Sequence, residues 1–361
     1  MEPIEPSDLD TSVIADAPST PRAQSPRDDQ PVLSVRGLTV DFPTDDGVVH
    51  AVDDVSFDVY PNETLGIVGE SGSGKSVSSM AILGLLPKNA VVKGEVQFGG
   101  VNLVGMDDKS LRSIRGDKIA MVFQDALASL NPVFKVGDQI AESIQVHHQL
   151  SKDALKTRVQ DLLDLVGIPQ PAQRAEQYPH EYSGGMRQRA MIAMSIANDP
   201  EVLIADEPTT ALDVTIQAQV LDVFERIQDR TRTAIMLITH DLGVVAGVAD
   251  RVMVMYAGRQ VERGTVDEVF YTPRHPYTRG LLASLPRLDR RNEHERLYRI
   301  FGQPPSLIFL PSGCAFHPRC AYADLNGVCV TTRPELSDIG AGQLSACHFA
   351  TTLDERELIQ Q

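Results

Sequence analysis

The sequence Gly-Glu-Ser-Gly-Ser-Gly-Lys-Ser at residues 69–76 decides the fold class of this 361-residue chain. It fits the pattern G-x-x-x-x-G-K-[ST], in which backbone N–H groups of small residues wrap a phosphate chain. In this pattern Lys75 reaches the β- and γ-phosphates and the Ser76 hydroxyl binds Mg²⁺. The residues expected to contact phosphate or Mg²⁺ are Gly69, Ser71, Gly72, Ser73, Gly74, Lys75 and Ser76. We call residues 69–76 the phosphate loop.

The surroundings of the phosphate loop support this interpretation. The apolar run ETLGIVG at 63–69 predicts a buried strand before the loop, and residues 75–86 predict a helix after it, ended by Pro87. A helix that begins at the loop adds the positive end of its dipole to the phosphate site. A Gly-rich turn without a ligand rarely has this strand–loop–helix context, so the sequence predicts a nucleotide site in an α/β fold.

An acidic pair ends a second apolar strand, Val-Leu-Ile-Ala-Asp-Glu at 202–207. We expect Asp206 to hold Mg²⁺, directly or through water. We expect Glu207 to orient the attacking water or accept its proton. Such a strand end is weak evidence alone, but together with the phosphate loop it indicates a P-loop nucleotidase.

A second Gly-rich helix start lies at Tyr182-Ser183-Gly184-Gly185-Met186. Two interpretations remain open for these residues alone. Ser183 can serve as an ordinary helix N-cap with the glycines as loop residues. Alternatively, the exposed backbone N–H groups form a second anion site.

Strands and helices alternate around these motifs. Apolar runs predict strands at 202–208 and 234–240 around a helix at 213–230, and RVMVMYAGRQVERG predicts a hairpin. Residues 126–195 carry mainly helix signals. These patterns indicate an α/β domain over 32–272 that contains a helical block.

Both ends of the chain differ from this domain. Residues 1–31 hold six Pro, seven acidic residues and two Arg, a composition typical of a disordered tail. After about residue 272 the sequence becomes irregular and rich in Pro and Arg, with seven Arg at 274–299. We therefore expect a separate C-terminal module at 273–350 and a second tail at 351–361.

The charge balance restricts the partners. There are 33 Lys and Arg against 49 Asp and Glu, a net charge of −16. This argues against nucleic-acid binding and against adhesion to anionic lipid. The sequence has no run of 18 apolar residues, and its N-terminus lacks the features of a secretory signal. We expect a cytosolic chain that does not span a membrane by itself.

The order of these motifs resembles that of ATP-binding cassette (ABC) ATPases over about residues 33–265. Residues 69–76 match the family's Walker A loop, 202–207 match its Walker B strand, and 182–186 resemble its signature motif, usually LSGGQ. The resemblance implies a P-loop ABC ATPase core of the α/β class. Its parts would be a mixed sheet with flanking helices, an antiparallel β subdomain and a helical subdomain at about 126–195.

The same resemblance implies roles for four further residues. Gln124 matches the Q-loop, which senses nucleotide and couples to the membrane subunit, and Asp213 matches the D-loop. His240 matches the switch histidine that contacts the γ-phosphate, and Phe42 lies where the family stacks an aromatic ring on adenine. The implied catalytic residues are Glu207, His240 and Gln124. The implied Mg²⁺ ligands are Ser76, Gln124 and Asp206.

In this family the signature motif of one subunit closes over the nucleotide of another. The resemblance therefore implies that Ser183, Gly184 and Gly185 complete the site of a second ABC ATPase, identical or paralogous, in a head-to-tail dimer. Tyr182 and Met186 depart from the usual signature. Ser183 and the backbone donors remain, so we expect an active enzyme.

The C-terminal sequence resembles one branch of the family. Residues 274–280, 302–305 and 313–320, and also 205–220, resemble the ATPases of bacterial oligopeptide and dipeptide importers, including relatives that take up nickel. The resemblance implies a peripheral subunit on the cytoplasmic face of the membrane. Its partners would be two integral-membrane permeases and, indirectly, an extracytoplasmic peptide-binding protein, with no nucleic acid.

All four cysteines lie in this C-terminal region, at Cys314, Cys320, Cys329 and Cys347. Their spacing contains no C-x-x-C pair, which disfavours structural zinc. Four thiolates suit an iron–sulfur cluster, and the peptide-importer branch is associated with a [4Fe–4S] site. Zinc and unligated thiols stay open as alternatives, with His317 and His348 as alternative ligands.

The predicted function is the ATP-hydrolysing, energy-coupling subunit of a di- or oligopeptide importer that uses ATP and Mg²⁺. One alternative keeps the importer and changes the cargo to nickel or another small solute, because the ATPase does not touch cargo. The alternative from another class is a soluble ABC ATPase of DNA repair.

Overall fold

The computed structural model describes residues 30–124, 129–210, 212–285 and 299–355. The strands are β1 (Leu33–Thr44), β2 (Gly47–Val59), β3 (Thr64–Val68), β4 (Val91–Phe98), β5 (Val101–Asn102), β6 (Ile119–Val122), β7 (Val202–Asp206), β8 (Ala234–Thr239), β9 (Arg251–Tyr256), β10 (Arg259–Thr265), β11 (Ser337–Asp338) and β12 (Leu344–Ser345). The α-helices are α1 (Lys75–Ile82), α2 (Asp108–Arg112), α3 (Val136–Gln145), α4 (Lys152–Leu165), α5 (Pro171–Arg174), α6 (Gly184–Ser195), α7 (Val214–Thr231), α8 (Leu242–Val248), α9 (Val266–Tyr271), α10 (Pro276–Ala283) and α11 (Val328–Thr331). The predicted tail lies outside the described residues over 1–29.

The main sheet has the strand order β11-β12-β10-β9-β3-β8-β7-β6. The five strands from β9 to β6 run parallel to one another, and the strands on the other side are antiparallel. Every residue of β3, β7 and β8 is buried, as expected for parallel strands covered on both faces. The predicted hairpin is confirmed as β9 and β10.

Strand register places the site at one edge of this sheet. Val68 pairs with Thr239, and Asp206 pairs with Ile238. The carboxyl ends of β3, β7 and β8 therefore lie side by side. The phosphate loop follows β3, Glu207 follows β7 and His240 follows β8, so all three start from the same edge.

The second sheet is antiparallel, with the order β2-β1-β4-β5. Its buried residues, such as Val35 and Phe57, share a core with α1 and with one face of the main sheet. This is the expected antiparallel β subdomain. With the mixed sheet and its helices it confirms the predicted fold class.

The first helix is shorter than the sequence suggested. We predicted it over 75–86, but α1 ends at Ile82. Gly84 has a φ of +60°, and its N–H and that of Leu85 bond back to Ala81 and Met80. These bonds satisfy the last carbonyls of the helix and end it, so Pro87 is not the terminator.

The helical block consists of α3, α4, α5 and α6. Buried residues such as Ile140, Leu162 and Ile192 form one core with α7 and the second face of the main sheet. Residues 125–128, at the start of the predicted block, lie outside the described residues. The domain boundaries drawn from the sequence stay predictions.

The C-terminal module at 273–350 is not separate from the ATPase domain, contrary to our expectation. Strand β12 pairs with β10, and β11 pairs with β12, so the module extends the main sheet. Its buried side chains, including Phe316 and Cys320, share a core with Val254 and Tyr256 of β9. This shared core joins the apolar side chains of the module to those of the ATPase domain.

Two residues of the predicted C-terminal tail at 351–361 contact the rest of the chain. Leu353 is only 1% exposed in the shared core, and Asp354 forms ion pairs with Arg274 and Arg279. Two of the seven arginines at 274–299 therefore have an intramolecular partner; four of the others, and residues 356–361, lie outside the described residues. Among the residues that the structure describes, no helix is long and apolar enough to cross a bilayer.

Candidate nucleotide site

Two glycines of the phosphate loop are required by close backbone contacts. A Cβ on Gly69 would lie 2.2 Å from the carbonyl oxygen of Met255. A Cβ on Gly74, whose φ is +99°, would lie 2.5 Å from the carbonyl oxygen of Ala51. A Cβ on Gly72, by contrast, would meet nothing within 4 Å. The loop thus packs its ends against β9 and β2 and presents its middle outward.

Lys75 lies inside this loop. Its Nζ donates to the carbonyl oxygens of Gly69 at 2.7 Å and Glu70 at 2.9 Å, and it lies 3.4 Å from Ser73 Oγ. Burial lowers the pKa of Lys75, while the carboxylates of Glu207 and Asp206 oppose this change. The ammonium is therefore placed among oxygen acceptors, as a cation that contacts phosphate oxygens should be.

Ser76 and Asp206 meet across 130 residues of sequence. Ser76 Oγ donates to Asp206 Oδ1 at 3.0 Å. Burial raises the pKa of Asp206. The hydrogen bond from Ser76 lowers it, and the charge of Glu207 raises it further. A hydroxyl and a carboxylate in contact form a hard-oxygen pair of the kind that Mg²⁺ uses beside phosphates.

Glu207 is the centre of a polar cluster. Its Oε2 accepts from Gln124 Nε2 at 3.1 Å and from Thr210 Oγ1 at 2.9 Å, and its Oε1 lies 3.4 Å from His240 Nδ1. Its backbone has a φ of +49°, and its N–H bonds to Ile238 of β8. The three residues predicted as catalytic, Glu207, His240 and Gln124, are thus brought together. Thr210 was missed because a single Thr after Glu207 has no distinctive pattern.

The signature residues lie at the start of α6. Ser183 Oγ accepts from the N–H of Met186 at 3.3 Å, so Ser183 is an N-cap. Ser183 and Gly184 are exposed, whereas Gly185 is buried; a Cβ on Gly185 would lie 2.7 Å from Ile216. The structure therefore confirms the N-cap interpretation. It also leaves an exposed helix start for a partner.

Two contacts explain how α6 is held. Tyr182, which departs from the usual signature, is buried, and its hydroxyl donates to the carbonyl oxygen of Arg174 at 2.9 Å. Burial raises the pKa of Tyr182 to about 12. Gln188 Nε2 donates to the carbonyl oxygen of Pro208 at 2.7 Å, joining α6 to the turn after Glu207.

Phe42 and Asp213 have structural contacts of their own. Phe42 is half-buried against the core of the antiparallel sheet. Asp213 caps α7 by accepting from the N–H of Ile216 at 3.0 Å. Adenine stacking by Phe42 and a D-loop role for Asp213 stay predictions.

The four cysteines line one cavity, together with His317 and His348. No disulfide joins them, and burial raises the pKa of Cys320 and of Cys347 to about 12. Each histidine has a carbonyl partner: His317 Nδ1 lies 2.9 Å from Cys314 O, and His348 Nε2 lies 2.8 Å from Thr332 O. Within the described ranges, no group of three or more His, Cys, Asp or Glu side chains converges on a single metal ion.

The fold and the site together define a P-loop nucleotide hydrolase. A phosphate loop follows the parallel strand β3, and a hydroxyl–carboxylate pair suited to Mg²⁺ lies beside it. A glutamate follows the parallel strand β7 at the same edge of the sheet. The comparisons with known proteins narrow this class. A family profile described as ABC transporter matches residues 52–210, and one described as oligopeptide/dipeptide transporter, C-terminal region, matches residues 261–326.

Curated relatives agree over most of the chain. The dipeptide transport ATP-binding protein DppD of Bacillus subtilis (strain 168) is 54% identical over 291 residues, 80% of this chain and 86% of that protein. The oligopeptide transport ATP-binding protein OppD of Haemophilus influenzae is 49% identical over 317 residues, 88% of this chain and 97% of that protein.

Solved structures agree with the fold. A dimeric structure of MJ0796, a bacterial ABC transporter cassette, has a TM-score of 0.59 at 25% identity and covers 65% of this chain and 98% of its own. The structure of cbiO1 from Clostridium perfringens, part of the ABC transporter complex cbiONQ, has a TM-score of 0.59 at 27% identity. It covers 68% of this chain and 92% of its own.

The chain therefore belongs to the ABC transporter ATPases, in the family that carries the oligopeptide/dipeptide transporter C-terminal region. It binds and hydrolyses ATP with Mg²⁺. This result contradicts our alternative of a DNA-repair ATPase, because both the C-terminal region and the relatives are those of transporters.

Proposed function

We propose that this chain is the energy-coupling subunit of a di- or oligopeptide importer at the cytoplasmic face of the membrane. The observation that carries the proposal is the combination of an assembled ATP site with a peptide-transporter C-terminal region in one chain. The relatives named for dipeptide and oligopeptide transport support peptides as the cargo.

The residues of the site divide the work of hydrolysis. Lys75 and the backbone N–H groups of the phosphate loop bind the β- and γ-phosphates, while Ser76 and Asp206, with Gln124, hold Mg²⁺. Glu207 orients the attacking water and accepts its proton. The proximity of His240 to Glu207 places it to contact the γ-phosphate.

We infer the partners from the surfaces that the chain exposes. A second ATPase subunit contributes Ser183, Gly184 and Gly185, which makes a head-to-tail dimer with two ATP molecules between the subunits. Two permeases dock near Gln124 and the helical block. In that region Val133 is 70% exposed and Phe134 54% exposed, which supports a protein contact there.

An uptake assay tests the function and the cargo together. Cells that lack the chain receive either the wild type or Glu207→Gln, which removes the base and keeps the ATP site. We expect uptake of a labelled dipeptide with the wild type. In an assay of ATP hydrolysis, we expect the variant to lose at least 100-fold in turnover. Uptake of nickel and not of peptide would instead establish the alternative cargo. Near-normal hydrolysis by Glu207→Gln would contradict the role of Glu207.

We further propose that Cys314, Cys320, Cys329 and Cys347 hold an iron–sulfur cluster, with a structural role. The donor set fits: four thiols, of which those of Cys320 and Cys329 are buried, line one cavity, and Cys320 Sγ accepts from the N–H of Tyr322 at 3.4 Å. Backbone bonds from Phe316 to Cys314 and from Phe349 to Cys347 act in the same way. Hydrogen bonds to sulfur of this kind tune the ligands of iron–sulfur clusters.

Metal analysis of anaerobically purified protein tests the cluster. We expect about four iron and four acid-labile sulfide per chain, the stoichiometry of a [4Fe–4S] site, with loss of both in Cys320→Ser. Ser345→Ala, a buried position on β12, serves as the control. Zinc in place of iron, or neither metal, would overturn the cluster and leave the ATPase assignment unaffected.

A further inference from the structure

The C-terminal module contacts the phosphate loop through one ion pair. Arg319 Nη1 lies 2.7 Å from Glu70 Oε2, and Nη2 lies 2.9 Å from Glu70 Oε1. The Arg319 side chain is 5% exposed and that of Glu70 is 27% exposed. A bidentate pair of this kind fixes direction as well as distance. Glu70 is the second residue of the phosphate loop.

Arg319 is itself held in place by neighbours. Its Nε donates to the carbonyl oxygen of Phe301 at 3.0 Å, and Nη1 lies 3.3 Å from the Tyr256 hydroxyl. The guanidinium also lies over the rings of Tyr256 and Phe316, at 5.7 and 6.0 Å from their centroids. The side chain therefore cannot follow a moving Glu70 without losing several contacts.

The backbone around Arg319 connects this pair to the cysteines. Arg319 is the last residue of a 3₁₀-helix, His317–Arg319, that lies between Cys314 and Cys320. The N–H of His317 bonds to Cys314 O, and the N–H of Cys320 bonds to His317 O. The conformation of the cysteine segment thus determines where the guanidinium is presented.

Tyr277 of α10 makes a second contact with the same loop residue. The backbone N–H of Glu70 donates to the Tyr277 hydroxyl at 2.8 Å. The ring of Tyr277 is fully buried and packs at 4.7 Å from Tyr256 and 5.4 Å from Phe316, between centroids. Both the side chain and the backbone N–H of Glu70 are therefore held from the C-terminal module.

Glu70 also contacts the lysine that binds phosphate. Its carbonyl oxygen accepts from Lys75 Nζ at 2.9 Å and from the N–H of Ser73 at 3.2 Å. A rotation of the Glu70 peptide would change both bonds. The residue that the module holds is thus one whose backbone sets the shape of the phosphate site.

We propose that Arg319 and Tyr277 are positioning residues for ATP binding. They hold Glu70 so that the phosphate loop has the conformation that accepts the β- and γ-phosphates, and the cysteine-bearing module thereby sets the affinity of the loop for ATP. Neither residue touches the reacting atoms, so the effect falls on binding and not on the chemical step. Linkage requires that ATP in turn stabilises the module.

Steady-state ATP hydrolysis by the full-length chain tests this proposal. Tyr277→Phe removes one hydroxyl and keeps the buried ring, and Arg319→Met removes the charge and keeps much of the stem. We expect each variant to raise KM for ATP, by roughly tenfold for Arg319→Met, with kcat changed by less than about twofold. Unchanged KM in both variants, or a fall in kcat at constant KM, would overturn the proposal.

A double-mutant cycle separates positioning from charge neutralisation. If Arg319 acts by positioning Glu70, then Glu70→Gln raises KM as well, and the double variant Glu70→Gln/Arg319→Met is no worse than Arg319→Met alone. If Arg319 only neutralised a carboxylate near the phosphates, Glu70→Gln would restore the KM of Arg319→Met to the wild-type value, which would contradict positioning. Additive losses would also contradict it, because they would show that the two residues act independently.

Arg251→Met is the matched control. Arg251 also forms a buried bidentate pair, with Glu63, at side-chain exposures of 13% and 5%. Glu63 precedes β3, at the opposite end of that strand from the phosphate loop. We expect this variant to lose stability without a change in KM for ATP. An equal rise in KM would show that any lost buried pair weakens ATP binding and would overturn the specific role of Arg319.

Discussion

Single residues of the phosphate loop differ in how much they can change. Gly69 and Gly74 approach backbone carbonyls of other strands, whereas Gly72 faces open space although its φ is +77°. The glycines of the motif thus meet two different requirements. At the loop ends a side chain has no room, and in the middle only the backbone angle favours glycine.

We predict that Gly69→Ala weakens ATP binding much more than Gly72→Ala. The new Cβ of Gly69→Ala would lie 2.2 Å from Met255 O, so the loop must shift. Overpacking of this kind costs about 1–3 kcal/mol, or roughly 5–150-fold in affinity. Titration of ATP binding by calorimetry measures the difference. Equal effects of the two substitutions would contradict the close contact at Gly69.

At the scale of elements, β10 carries an unexpected buried carboxylate. Glu262 is fully buried and accepts hydrogen bonds from the N–H groups of Arg274 and His275, at 2.6 and 3.0 Å, and from Gln343 at 3.0 Å. It thereby joins β10 to the start of α10. Its burial was not predicted, because a Glu in the pattern RQVERG is typical of a strand residue that faces solvent.

We predict a pH dependence from Glu262. Burial raises its pKa to about 7 from the ordinary 4.5, so the folded chain binds this proton more tightly than the unfolded chain. The stabilisation is complete below pH 4.5 and is lost as the pH rises towards 7. The total is roughly 3 kcal/mol, because each pH unit of pKa change corresponds to about 1.4 kcal/mol.

The test compares urea unfolding of the wild type and Glu262→Gln at pH 5 and pH 8. The wild type should lose stability relative to Glu262→Gln between the two pH values. Asp267→Asn, at an exposed position in α9, controls for the removal of any carboxylate. A difference that is the same at both pH values would rule out Glu262 as the source.

At the scale of the whole molecule, we propose that a second chain completes the ATP site. Lys75 and Glu207 start from the same edge of the main sheet, whereas Ser183 and Gly184 are exposed at the start of α6. Closure onto a second subunit would bring Ser183 and Gly184 against the phosphate oxygens of the ATP bound there. The contacts that ATP makes with both subunits would then favour the closed dimer over separate chains.

We predict that Ser183→Arg prevents ATP-dependent dimerisation without weakening ATP binding to the single chain. The change is made in the Glu207→Gln background, which retains ATP, and molar mass is measured by light scattering with Mg·ATP. Ser151→Arg is the control, because Ser151 is also an exposed N-cap, of α4. A dimer that persists with Ser183→Arg would contradict our placement of the signature motif in the dimer interface. Loss of the dimer with Ser151→Arg as well would also contradict it.

The class of protein and the residues at the centre of the site could be predicted before the structure was known. The phosphate loop, Asp206 and Glu207 were predictable because the chemistry of phosphate and Mg²⁺ demands particular residue types at short, fixed spacings beside strand ends. The strands β3, β7 and β8 were predictable because fully buried strands are continuous apolar runs. Glu207 and His240 were each expected after a strand, and the structure adds that these two strands are neighbours.

The contacts of the C-terminal residues could be found only from the folded chain. The pair of Glu70 and Arg319 joins positions 249 residues apart, and no local spacing predicts such a contact. The same holds for β12, which extends the main sheet beside β10, and for the burial of Glu262. These features depend on the path of the whole chain, because burial and ion pairing are set by which distant segments pack together, whereas the residue types of a phosphate loop are recognisable from their local spacing.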